Sequence, residues 1–203
     1  MGLHLEAVSE NLIQLLRHLM SAAPLQQFYL AGGTALALQY GHRRSIDLDL
    51  FTHTPFDAPK LNERLNQAFA LTETTIDTNT ILGQIDGVKI DFIAHQYPLL
   101  TKIITTDGIR LAGTKDIAAM KLNAISNRGS KKDFWDYALL LKHFDHQRLL
   151  SFYTQKYPNA SLWNLEKSLC YFDDAEYDPD PISLTNQTWE EIKTTIAEHC
   201  RIK

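Results

Sequence analysis

Residues 46–51, IDLDLF, alternate apolar and acidic side chains without a break, and this hexapeptide restricts the fold more than any other stretch of the chain. Period-two alternation marks a β-strand with one face in a core, because successive side chains on extended backbone point to opposite sides. Ile46, Leu48 and Leu50 are therefore expected to face inward, with Asp47 and Asp49 side by side on the other face. Aspartate is disfavoured in strands, and two carboxylates this close repel unless a cation lies between them. The plain alternative is the wet face of a half-exposed strand.

A second segment, VKIDFIAH, repeats the period: Val88, Ile90 and Phe92 form one face, Lys89 and Asp91 the other. If this strand pairs with the first, Asp91 joins Asp47 and Asp49 in a three-carboxylate cluster. Oxygen ligands of this kind suit Mg²⁺ or Mn²⁺, which commonly bind through one or two carboxylates plus substrate phosphates. Two such ions can activate an attacking oxygen and steady a leaving phosphate.

Around these strands the text divides into two styles. An amphipathic opening helix carries Leu12, Ile13, Leu15, Leu16 and Leu19 on one stripe, and FYLA then reads as a short buried strand. Gly32-Gly33 form a turn, Thr34 is placed to cap the helix TALALQY, and a further helix is expected near 58–70. From 71 to 112 β-branched runs alternate with turn signals, and Asp86-Gly87 marks a hairpin. After 114 the pattern is helical throughout: TKDIAAMKLNAIS, SKKDFWDYALLLKHF, HQRLLSFYTQKY, NASLWNLEKSL and TWEEIKTTIAEHC. The expected fold is α+β (mixed α/β), a small mixed sheet flanked by helices at 1–112 followed by a helical C-terminal lobe at 113–203 that completes the active site.

Several residues outside the strands are placed for chemistry. Backbone N–H groups of Gly32 and Gly33, at a strand-to-helix turn, can meet a phosphate, with the Thr34 hydroxyl adding a bond. Read structurally, the same pair is simply a tight turn. Lys121 falls in the middle of the apolar face made by Ile117, Met120, Ala124 and Ile125, so it must snorkel, pair or reach a ligand. Asp133 and Asp136, three apart on the next helix, could act as bases or orient Lys121. Arg43, Arg44 and Ser45, with Arg128, Lys131 and Lys132, are candidate contacts for a triphosphate or a nucleic-acid backbone.

Charge limits the choice of partners. The 203 residues sum to -4, but residues 1–170 carry 17 Lys or Arg against 16 Asp or Glu, whereas 171–203 carry 3 against 8. A polyanion would dock on local basic patches, since no global positive field draws it in. The acidic run YFDDAEYDPDP reads as a solvated linker. Cys170 and Cys200 stand far apart with no zinc-ligand spacing, and no run approaches the 18 apolar residues of a membrane span. A reducing, cytoplasmic setting is expected.

The combination GGTALAL, HRRSIDLDLF, VKIDFIA and DIAAMKLNAISNRGSKKDFWDYALL, spanning about residues 28–141, resembles the AbiEii-type nucleotidyltransferase toxins of the polymerase-β-like superfamily. The resemblance implies a minimal nucleotidyltransferase fold. It assigns metal binding to Asp47, Asp49 and Asp91, catalytic roles to these three with Lys121 and Asp133, and nucleotide contacts to Gly32, Gly33, Thr34, Arg44, Ser45 and Lys121. Relatives often have Gly-Ser after the strand, so the hydroxyl of Thr34 comes one position later here. The resemblance further implies a nucleoside triphosphate (ATP or GTP among the choices), an RNA acceptor such as the tRNA 3′ end, and a cognate antitoxin protein. Two other readings remain: a non-catalytic nucleotide-binding or protein-interaction module, and an aspartyl-phosphate phosphatase. Arg43-Arg44-Ser45 before the aspartates and Phe51 after them depart from the phosphatase pattern.

Overall fold

The computed structural model describes residues 2–200. Their contacts cluster into two compact units, one made of residues 2–40, 45–97 and 103–112, the other of residues 41–44, 98–102 and 113–200. Two short segments that precede residue 113 in sequence therefore belong with the helices that follow it.

The first unit holds β1 (Tyr29–Leu30), β2 (Leu48–Thr52), β3 (Thr72–Asp77), β4 (Thr80–Ile85), β5 (Val88–Ala94), β6 (Ile104–Thr106) and β7 (Ile109–Leu111), with α1 (Glu10–Ser21), α2 (Gly32–Tyr40) and α3 (Ala58–Phe69). The strands form one mixed sheet in the order β3-β4-β5-β2-β1-β7-β6. Both DG pairs make tight hairpins: Asp86 and Gly87 have φ of 51° and 76°, Asp107 and Gly108 of 50° and 78°. Positive φ at both central residues matches the twist of the flanking strands, which is why Gly takes the second place. The registers Ile85↔Val88 and Thr106↔Ile109 follow. Helix α1 begins at Ser9, whose hydroxyl accepts from the Leu12 N–H, and its expected apolar stripe is buried.

Strand β2 lies between β5, to which it is parallel, and β1, to which it is antiparallel. Leu48, Leu50, Ile90 and Phe92 are buried as the alternation demanded. Ile46 is not. The strand opens only at Leu48, so Ile46 lies on irregular backbone and is 75% exposed. Backbone groups of the preceding residues are bonded elsewhere, the Ser45 N–H to the Ala7 carbonyl and the Asp47 carbonyl to the Thr34 hydroxyl. That takes the chain off the ladder.

The second unit contains α4 (Thr114–Asn127), α5 (Lys131–Leu141), α6 (His146–Lys156), α7 (Leu162–Leu169) and α8 (Trp189–Cys200), in the five places where the helical period ran. Its core is partly aromatic: Trp135 stacks on Trp189 at 6.0 Å, and Phe134 and Phe172 meet edge to face. The buried Lys156 ammonium bonds the Asp116 carboxylate at 2.8 Å and the Pro98 carbonyl at 2.9 Å. Asp116 in turn accepts from the N–H groups of Leu100 and Thr101, which ties the 98–102 segment to the helices.

The acidic run at 171–181 is solvent-exposed over most of its length, as expected, but it is tied to the helices and not a free linker. Asp178 accepts the Lys131 N–H at 2.9 Å, Asp180 pairs with the Lys131 ammonium at 2.9 Å, and Glu176 accepts from the Trp189 indole. The first N–H groups of a helix have no partner within it and carry the positive end of its dipole, so the start of α5 gives Asp178 a place to bind.

Candidate active site

In the first unit the carboxylates are organised by β2 and β5. The two strands do pair, the condition on which the sequence reading rested, and their register makes Asp49 and Asp91 direct Cα partners on adjacent parallel strands. Asp47 stands one residue before β2, positioned by the Thr34 hydroxyl on its carbonyl rather than by the pleat. Gly32, with φ of +63°, opens α2 directly against this strand: a Cβ there would stand 2.0 Å from Asp49 Oδ2. Glycine is required twice over, by its backbone conformation and by the carboxylate. Gly33 follows as the second residue of the helix, and is buried.

Thr34 and Ser45 are arranged differently from expectation. Thr34 is the third residue of α2, not its cap, and is 1% exposed. Its hydroxyl lies 2.8 Å from that of Ser45 and also holds the Asp47 carbonyl, so both hydroxyls are engaged inside the protein instead of pointing toward a phosphate. Their part is to hold the approach to β2.

Among the described residues no group of three or more His, Cys, Asp or Glu side chains is arranged to hold a metal ion. A divalent cation nonetheless fits the pair. Asp91 Oδ1 is buried without a hydrogen-bond partner, its other oxygen lies 3.4 Å from the mostly exposed Lys89 ammonium, and Asp49 is beside it in register. A buried carboxylate oxygen without a partner is costly. Two carboxylates are a sufficient protein contribution for Mg²⁺ when phosphate oxygens and water complete the shell.

The remaining candidates meet in the second unit. Lys121, on α4, pairs with Asp133 at 2.9 Å and Asp136 at 2.7 Å on α5. Asp136 is fully buried and also receives His42 Nε2 at 2.7 Å and a fork from Arg43, Nε at 2.7 Å and Nη2 at 2.9 Å. Ser130 donates to Asp133 at 2.5 Å. Burial alone would raise the Asp136 carboxyl, but the charges of Arg43 and Lys121 and the bonds from His42 and Arg43 hold it well below the usual carboxylate range. Asp133 is likewise lowered, against burial, by Lys121 and Ser130. Burial would depress Lys121, yet the two aspartates raise it.

These facts choose among the alternatives the sequence left open. Lys121 pairs, with two carboxylates. Asp133 orients Lys121, one of the two roles open to it. Arg43 is 3% exposed and bound to Asp136, whereas Arg44 is exposed. His42 escaped notice because a histidine in the polar run GHRRS carries no periodic signal. Burial lowers its imidazole against the pull of Asp136, so it is neutral, donating from Nε2 and leaving Nδ1 buried without a partner.

Comparison with known proteins bears on this geometry. The chain matches the family described as nucleotidyl transferase AbiEii toxin, type IV TA system, over residues 14–105. It is 38% identical over 184 residues to the uncharacterised protein aq_aa25 of Aquifex aeolicus, covering 88% of both chains. Among solved structures it resembles JHP933 of Helicobacter pylori (TM-score 0.58, 21% identity, 98% of this chain and 90% of that one). It also resembles MenT4, a nucleotidyltransferase toxin of Mycobacterium tuberculosis H37Rv (TM-score 0.57, 14% identity, 95% and 84%). On these matches the chain belongs to the AbiEii nucleotidyltransferase toxin family.

Proposed function

We propose that this protein transfers a nucleoside monophosphate from a metal-chelated nucleoside triphosphate to an acceptor hydroxyl, with the 3′ end of an RNA such as tRNA as acceptor, and that it acts as a toxin restrained by a cognate antitoxin. The observation that carries the reading is the in-register Asp49 and Asp91 pair with Gly32 closed upon it.

Asp49 and Asp91, with Asp47 beside them, would hold Mg²⁺ or Mn²⁺. Such ions, when bound, neutralise the triphosphate and lower the pKa of a coordinated oxygen. Asp91 Oδ1, which has no partner in the fold, is the atom suited to accept the proton of the attacking hydroxyl. Backbone N–H groups at the start of α2 offer the positive end of the helix to the phosphates. The Lys121, Asp133, Asp136, His42 and Arg43 network stabilises the helical unit, and Thr34 and Ser45 position Asp47.

The test is incorporation of each radiolabelled triphosphate into total RNA with Mg²⁺. Asp49→Ala should lower it by more than about a hundredfold, beyond the 10–100-fold typical of residues that only support a metal ligand, while leaving the circular dichroism unchanged. Undiminished labelling would overturn the assignment. A binding module without turnover is the second reading, favoured by the lack of a three-ligand metal group among the described residues. Metal-dependent binding of triphosphate by calorimetry, with no product from any RNA, would select it.

A further inference from the structure

The face of the sheet that carries the carboxylates continues as a row of rings. On β2 the alternation that turns Asp49 away from the core turns Phe51 the same way, and on β5 Ile93 follows Asp91. Phe51 and Ile93 are direct Cα partners and both are half-buried, while Leu50 and Phe92 fill the core on the opposite side. The His95 N–H donates to the Thr52 carbonyl at 2.7 Å, which carries the pairing one step past the end of β5. The His95 ring then lies 5.4 Å from that of Phe51, tilted by 34°, and 4.9 Å from that of Tyr97, tilted by 47°. Both spacings are those of packed aromatic pairs. The row runs outward from half-buried Phe51 to Tyr97, which is 46% exposed.

We infer, on the transfer reading above, that Phe51, His95 and Tyr97 form the subsite for the terminal nucleobase of the acceptor RNA, with Tyr97 as the ring on which that base stacks. The order of the strands decides which substrate meets the rings. Strand β2 has β1 on one side and β5 on the other. Helix α2, whose first N–H groups face the phosphates, follows directly from β1, and the Ala31 N–H between them donates to the Asp49 carbonyl at 2.8 Å. In phosphoryl transfer the attacking and leaving oxygens stand roughly in line. Pyrophosphate leaving on the α2 side therefore puts the acceptor hydroxyl on the β5 side, where Asp91 Oδ1 is buried without a hydrogen-bond partner.

The rings lie beyond Asp91 on that same side. Successive side chains on one face of a strand are about 7 Å apart, so the base of a nucleotide whose sugar hydroxyl meets Asp91 is within reach of them. Unpaired RNA bases stack on Phe, Tyr and His side chains, and every base has a face to offer. The subsite thus selects an unpaired end, with little preference among bases.

The test uses the full chain and two synthetic RNA hairpins with an unpaired 3′ end, identical except that the terminal nucleotide carries adenine in one and is abasic in the other. Binding is read by fluorescence anisotropy with Mg²⁺ and no triphosphate, so it does not depend on turnover. The wild type should bind the intact end about tenfold more tightly, Tyr97→Ala should abolish that preference, and Tyr97→Phe, which keeps the ring, should restore it. With labelled triphosphate, Tyr97→Ala should raise KM for the intact hairpin about tenfold and leave KM for the triphosphate where it was. A rise in the triphosphate KM instead would assign the rings to the incoming base and overturn the inference. Equal binding of the two ends by the wild type, which needs no variant to fold, or a preference kept by Tyr97→Ala would overturn it as well. A wild type that prefers the intact end yet labels no RNA would sink the transfer reading and leave the base subsite standing.

Discussion

At the scale of single residues, Gly32 and Asp136 carry the most consequence. Gly32→Ala should displace the Asp49 carboxylate, since its new Cβ would overlap Oδ2 and its φ of +63° is strained for alanine. Nucleotide incorporation should fall about a hundredfold, the cost of roughly 1 Å of misplacement, and the thermal midpoint should fall with the roughly 1–3 kcal/mol of backbone strain. A wild-type rate would show that the turn tolerates the methyl and that the carboxylate position is not critical. Asp136→Asn should cost about 3–5 kcal/mol by urea unfolding, because Arg43 and Lys121 would remain buried with a single carboxylate between them.

The same network predicts pH dependence. His42 is lowered from an ordinary 6.5, so the folded state resists a proton that the unfolded state accepts. Its contribution is full above about 6.5 and is lost as pH falls toward its folded pKa. Asp133 and Asp136 are also lowered, so their contribution is full above the ordinary carboxylate value of 3.8 and is lost in stronger acid. Lys121 is raised, so its contribution is full below 10.5 and lost above it. Thermal midpoints should therefore hold between about pH 6.5 and 10 and decline on either side. His42→Gln should flatten the first part of the acid decline; an identical decline would assign it to another group.

Among the elements, α5 and β3 show how local rules meet context. Asp178 satisfies the first N–H of α5 from 47 residues away, so Asp178→Ala should cost about 1 kcal/mol in the thermal or urea midpoint, as loss of a helix cap does. A neutral outcome would mean that Asp180 and the helix dipole suffice. The edge strand β3 is exposed along its whole length and its register shifts between Thr72 and Thr75, with Glu73 at φ of 51°. A bulge of this kind twists an edge away from further pairing.

For the whole molecule, the clustering of contacts into two units makes a prediction in hydrogen exchange. Asp136→Asn should speed exchange in α4 and α5, while amides of β2 and β5 keep their protection. Equal acceleration in both would show that the units unfold as one.

The sequence by itself determined what depends on neighbours along the chain. Period-two runs placed β2, β4 and β5, the Asp86-Gly87 pair placed a hairpin, period-3.6 runs placed all five late helices, and the alternation of IDLDLF and VKIDFIAH put Asp49 and Asp91 each on the face opposite the core, their pairing being left to the fold. Only the tertiary structure decided what depends on distant partners. It released Ile46 from the core because Ser45 and Asp47 are bonded to Ala7 and Thr34. It turned Lys121 inward because Asp133 and Asp136 outweigh its desolvation, and brought His42 and Arg43 to the same carboxylate. It folded the acidic run onto α5. The physical reason is common to all of them: periodicity records which face of an element is apolar, but a buried charge takes its role from whichever group, however remote in sequence, satisfies it.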